Sequence, residues 1–218
     1  MNWMVPSAAM ATNPSIEPQF RRADPAGAER LRMFIRVAGV AALGAGLALL
    51  IGFVGATPDV NRYTVPTFYM LGVIGLAGIH LRQVAARPAL AWFGFVAALI
   101  GLGWGILSLL LSWTGVLPPS GGAFGFLGEV ALWIGATALG AVIVAIGVLP
   151  RRQVGLAFAI GAPLAMIGLL SAATGTGGSA LDVVSQAGIV VFALGWISAG
   201  VSLLTVPRKH GVMGTSAQ

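Results

Sequence analysis

Few side chains in this sequence could do chemistry, and they do not gather. The chain holds six acids, two histidines and no cysteine in 218 residues. Without cysteine there are no disulfides, thiolate metal sites, iron–sulfur ligands or thiol nucleophiles. His80 is the one histidine beside an apolar run, and a single imidazole supplies neither paired axial haem ligands nor a three-ligand zinc site. The acids Glu17, Asp24, Glu29, Asp59, Glu129 and Asp182 are scattered, so no carboxylate pair is set up for acid/base work. The phosphate-binding GxxxxGK loop, the HExxH zinc helix and the GxSxG nucleophile elbow are all missing. Such residue types exclude most hydrolytic, metal-dependent and redox enzymes. The expectation is a non-enzyme with no cofactor and no metal.

Four residues remain as functional candidates. Glu129 lies about one turn inside an apolar run. A proton or cation site is one reading of it; an acid held by a helix N-terminus and the headgroups is the favoured one. His80 reads as an interfacial polar residue, with pH sensing as the sharper alternative. Trp104 and Thr137, together with Ser108, would line a mid-membrane pocket if the helices bring them together. Single hydroxyls in apolar helices more often bond back to their own backbone.

These residues sit on or between six long apolar runs, near 33–56, 65–81, 90–111, 126–149, 154–173 and 187–206. Hydrophobic residues make up 57% of the chain and charged residues 8%, too few charges to cover a water-soluble surface. Runs of this length suit membrane-crossing helices rather than the short alternating strands of a barrel. The predicted fold is therefore all-α, with six transmembrane helices. A polar tail occupies 1–30, the membrane domain 31–206 and a short tail 207–218. The first tail has no signal-peptide pattern, and Ile16 and Phe20 suggest a short interfacial helix there. Pro163 should kink the fifth helix and free a carbonyl, which Ser171 or a neighbouring helix could satisfy.

Charge orients the runs. Arg21, Arg22, Arg30, Arg32, Arg36, Arg82, Arg87, Arg151, Arg152, Arg208 and Lys209 fall in alternate breaks, and Arg62 alone falls in the others. The positive-inside bias then places both termini in the cytoplasm, in what is expected to be a bacterial inner membrane. It also explains the net charge of +6 without nucleic acid, since the cations mark helix ends rather than one binding face. The breaks 114–125 and 174–186, rich in Gly, Pro and Ser, read as outer loops and as the leading outer binding surface.

Two patterns bear on assembly. The helix ends GIHLRQV (78–84), GVLPRRQV (147–154) and VPRKH (206–210) look alike, and LAWFGFVAALIGLG (90–103) loosely matches LAFAIGAPLAMIGLL (156–170). They suggest three repeated helical hairpins, although shared composition produces the same likeness. Small residues recur at four-residue spacing: Ala38, Ala42 and Gly46; Ala97, Gly101 and Gly105; Ala131 and Gly135; Ala157, Gly161 and Ala165; Gly195 and Ala199. Such faces allow close approach within one bundle, self-association, or docking on another subunit. The leading expectation is a non-catalytic accessory or scaffolding subunit of a larger membrane assembly, contacting membrane lipids and other subunits. The alternative is a transporter or capture protein for a small apolar solute or lipid, including pigment held by Trp104, Trp133 or Trp196.

Overall fold

The structure is a computed structural model that describes residues 25–55, 57–84, 88–118, 122–147, 149, 152–175 and 178–205. The expected helix around 16–20 and the VPRKH end lie outside the described residues. Contacts divide the chain into residues 1–33 and 34–218. Of the first unit, the helical run 25–33 is described, with Glu29, Arg30 and Arg32 exposed. The helix bundle belongs to the second.

Six helices are described: α1 (Pro25–Gly55), α2 (Pro58–Gln83), α3 (Pro88–Trp113), α4 (Gly122–Ile146), α5 (Arg152–Thr174) and α6 (Ser179–Leu204). All six are long and apolar enough to cross a membrane. No strand occurs among the described residues.

Local chemistry sets the helix ends and corrects several expected boundaries. Helix α2 starts ahead of its apolar run because Thr57 caps it, accepting from the Val60 N–H at 3.4 Å, with Pro58 and Asp59 in the first turn. Helix α6 starts at Ser179 with Asp182 in its first turn, where an acid meets the positive end of the helix dipole. The segment 174–186, expected to be a loop and an outer binding surface, is therefore helix from residue 179 onward. The other expected loop loses its last residues to α4, which begins at Gly122. Gly147, with φ of 66°, ends α4 short of the expected residue 149. Gly115 and Gly175 turn the chain in the same left-handed conformation just after α3 and α5.

The small-residue faces are consumed inside the chain. Each helix packs on the next, and α6 packs back on α1. A Cβ at Gly75 would meet Ala42 at 3.0 Å, and one at Gly78 would strike Ala38, which joins α1 to α2. At Gly101 it would meet the Leu132 backbone N at 2.6 Å, and at Gly140 the Gly155 carbonyl at 2.7 Å, closing α3 on α4 and α4 on α5. At Gly161 it would meet the Phe192 backbone N at 2.6 Å, and at Gly200 the Gly39 carbonyl at 2.6 Å, joining α5 to α6 and α6 to α1. Only a missing side chain permits backbones this close, and in lipid such van der Waals contact replaces the absent hydrophobic drive. Between α2 and α3 the crossing is spaced differently, with the Tyr69 ring against Gly105 and Leu102 at 3.3 Å from the Gly72 position.

Contacts of the α3–α4 hairpin recur in α5–α6 sixty residues on. Gly101 meets Leu132 as Gly161 meets Phe192, and Gly128 meets Trp104 as Gly188 meets Leu164. Gly135 meets Ala97 and Ala98, as Gly195 meets Ala157 and Phe158. The sequence match of 90–103 with 156–170 implies an offset of sixty-six, six residues more than the spacing of these contacts.

Aromatic rings fill the centre of the bundle. Phe192 of α6 lies 6.2 Å from Phe68 of α2, 5.0 Å from Trp133 of α4 and 5.4 Å from Phe158 of α5, each in edge-on geometry. Trp196 stands edge-on to Phe68 and Phe158, and Phe68 touches Tyr69. Edge-to-face pairs of this kind each add about 0.5–1.5 kcal/mol beyond their buried area. The outward stripe is apolar as well. Val37, Val40, Leu47, Ile51 and Val54 of α1 are exposed, as lipid-facing positions should be.

Candidate functional site

The four candidate residues do not converge. The Trp104 indole N–H donates to the Phe124 carbonyl at 3.0 Å, and the ring stacks on Phe124 at 4.7 Å between centroids. It clamps the start of α4 to α3. The Thr137 hydroxyl donates to the Trp133 carbonyl of its own helix at 2.7 Å, the back-bonding common for single hydroxyls in apolar helices. Thr67 does the same to Tyr63 at 2.7 Å. A shared pocket at Trp104, Thr137 and Ser108 is not formed among the described residues.

Ser171 does not satisfy the carbonyl freed by Pro163. Its own hydroxyl is buried without a hydrogen-bond partner among the described residues.

Glu129 lies two turns into α4, three and four residues ahead of the buried Leu132 and Trp133, so it shares their core-facing stripe. It is nevertheless exposed, and it interacts electrostatically with Tyr69 of α2. Glu129 thus lies on the core-facing side of α4, one turn from Trp133, rather than on its lipid-facing flank.

His80 is buried near the end of α2. Only 7% exposed, it stacks on Phe95 at 4.3 Å and meets Trp92 edge-on at 4.4 Å, wedged between α2 and α3. One turn on, Gln83 is 0% exposed. Neither atom of its amide has a hydrogen-bond partner among the described residues, and the same holds for His80 Nδ1 and Arg82 Nη2. Burying an amide unpaired costs on the order of 1–3 kcal/mol on protein mutational scales.

A groove at the opposite end of the same seam has no counterpart among the sequence candidates. Arg62, Tyr63, Pro66 and Thr67 of α2 and Trp113 of α3 line an open groove of about 470 Å³. Tyr63 is 70% exposed and Trp113 62%. The sequence signal was present: two rings at the ends of successive runs, with the one cation of those breaks beside them. No group of three His, Asp or Glu able to hold a metal occurs among the described residues.

Six apolar helices, closed in a ring on an aromatic core, define a polytopic membrane protein. Comparison of the chain with known protein families, with curated proteins and with solved structures finds no match.

Proposed function

We propose that this is a non-catalytic accessory or scaffolding subunit of a larger membrane assembly, in a bacterial inner membrane with both termini cytoplasmic. The observation that carries this reading is the filled axis. Phe68, Trp133, Phe158, Phe192 and Trp196 occupy the space a solute would cross. The hydroxyls of Thr67 and Thr137 are spent on their own helices. A protein whose interior is rigid aromatic packing works through its surface. The small-residue faces no longer support docking, because they are used within the chain. The lipid-facing helix flanks and the charged start of α1 are the surfaces left for a partner.

The orientation rests on the arginine pattern: Arg82 and Arg152 fall at one end of the helices and Arg62 at the other. The sixty-residue recurrence supports α3–α4 and α5–α6 as two copies of one hairpin, related by an axis along the membrane normal. Transport of a small apolar solute is the second reading, favoured only by the exposed Glu129 on the core-facing side of α4.

Purification from native membranes in mild detergent, with mass spectrometry of the eluate, tests the scaffold reading. A different chain in fixed ratio supports it. A lone chain that carries solute into vesicles refutes it.

A further inference from the structure

From the groove between the ends of α2 and α3, we infer that the chain holds an anionic phospholipid there, its phosphodiester on Arg62 and its glycerol and upper acyl segments against Tyr63 and Trp113. The site lies where glycine no longer brings the two helices together. Tyr69 against Gly105 is the last glycine contact between them toward this end, since neither 58–68 nor 106–113 holds a glycine for close approach. Pro66 lacks an N–H, so the Arg62 carbonyl four residues back loses its helix donor, and the turn is free to open. The resulting space of about 470 Å³ suits a headgroup and glycerol rather than a whole lipid.

Charge selects the occupant. Arg62 is held by no ion pair among the described residues, although Asp59 lies three residues before it. A guanidinium offers a planar fork that matches phosphate oxygens. The two rings are those that sit at headgroup depth, apolar on one side and wet on the other. Below them the seam is flanked by the exposed Met70 and Ile74 of α2 and Leu107 and Leu110 of α3, an apolar track for an acyl chain. A zwitterionic lipid places its own cation beside the phosphate and gains less from Arg62. This inference does not rest on the scaffold reading, since a lipid can sit in the groove of a subunit or of a lone chain.

The test is native mass spectrometry of the full chain in detergent, titrated with phosphatidylglycerol or phosphatidylcholine. Wild type, R62A, R62K and, as a control at the other helix ends, R152A are compared. The expected result is preferential binding of phosphatidylglycerol, weakened about fivefold in R62A, the effect of one cation near an anionic headgroup, and largely kept in R62K and R152A. Binding of phosphatidylcholine equal to phosphatidylglycerol overturns the inference, as does R62A binding like wild type. Displacement of the lipid by millimolar inorganic phosphate also overturns it, by assigning the groove to a free anion. If R62A fails to fold, R62Q and W113L replace it, with the same readings.

Discussion

The sharpest test of the packing uses two glycines in one helix. Gly101 and Gly103 both lie within α3, so replacing either by alanine brings the same gain in helix propensity, up to about 1 kcal/mol. Their surroundings differ completely. A Cβ at Gly101 would meet the Leu132 backbone N at 2.6 Å and the Ala131 carbonyl carbon at 2.9 Å, whereas at Gly103 it would meet nothing within 4 Å. Normal contact between carbon and a backbone atom is about 3.5–4.0 Å, so G101A must push α4 away by roughly 1 Å. The obstacle is backbone and cannot rotate aside. Overpacking of this kind costs about 1–3 kcal/mol, and the difference between the variants should fall in that range because propensity cancels. Reversible unfolding in mixed detergent micelles, followed by circular dichroism, measures it. G103A should match or exceed wild type and G101A should fall below it. Equal stability of the two variants would refute the helix register.

Other predictions follow from single contacts. G161A should cost as much as G101A within about 1 kcal/mol, because the Phe192 backbone blocks it as Leu132 blocks the other; a negligible effect counts against two copies of one hairpin. Q83M, which replaces an unpaired buried amide with an apolar chain of similar shape, should be neutral or stabilise by up to about 2 kcal/mol in the same unfolding assay, and marked destabilisation would mean the amide has a partner. W104F keeps the stack on Phe124 and loses the indole donor, so it should cost about 1 kcal/mol, whereas T137V should change stability by less than about 0.5 kcal/mol. Orientation is testable directly because the chain has no native cysteine. V116C should react with an impermeant maleimide in intact cells and Q153C only after permeabilisation; the reverse pattern would invert the topology.

The spans were legible because lipid demands long apolar helices, and the arginines marked their alternate ends. The helix termini were less so. The stretch 179–186 has the composition of a loop, yet Asp182 favours a helix start there and the chain continues the helix outward. Small-residue spacing correctly indicated close approach, but spacing alone does not say against what. Gly101 and Gly135 face each other's helices in one chain, a fact carried by three-dimensional register. Trp104 stood out as an aromatic in a span, but its partner is a main-chain carbonyl, which has no residue type to recognise. His80 was legible as a polar residue at a helix end, but its burial comes from Trp92 and Phe95 of the next helix, which its own position does not reveal. That Glu129 shares a helix face with core residues became visible only once the i+3 and i+4 positions, Leu132 and Trp133, proved to be buried.

The scaffold reading is tested most directly by the protein mass of the particle extracted from native membranes into lipid nanodiscs without prior detergent. One copy of this chain contributes 22.1 kDa. The account predicts a particle in which that mass is joined by a second, different polypeptide in fixed ratio across preparations. A particle holding only this chain and lipid would contradict it.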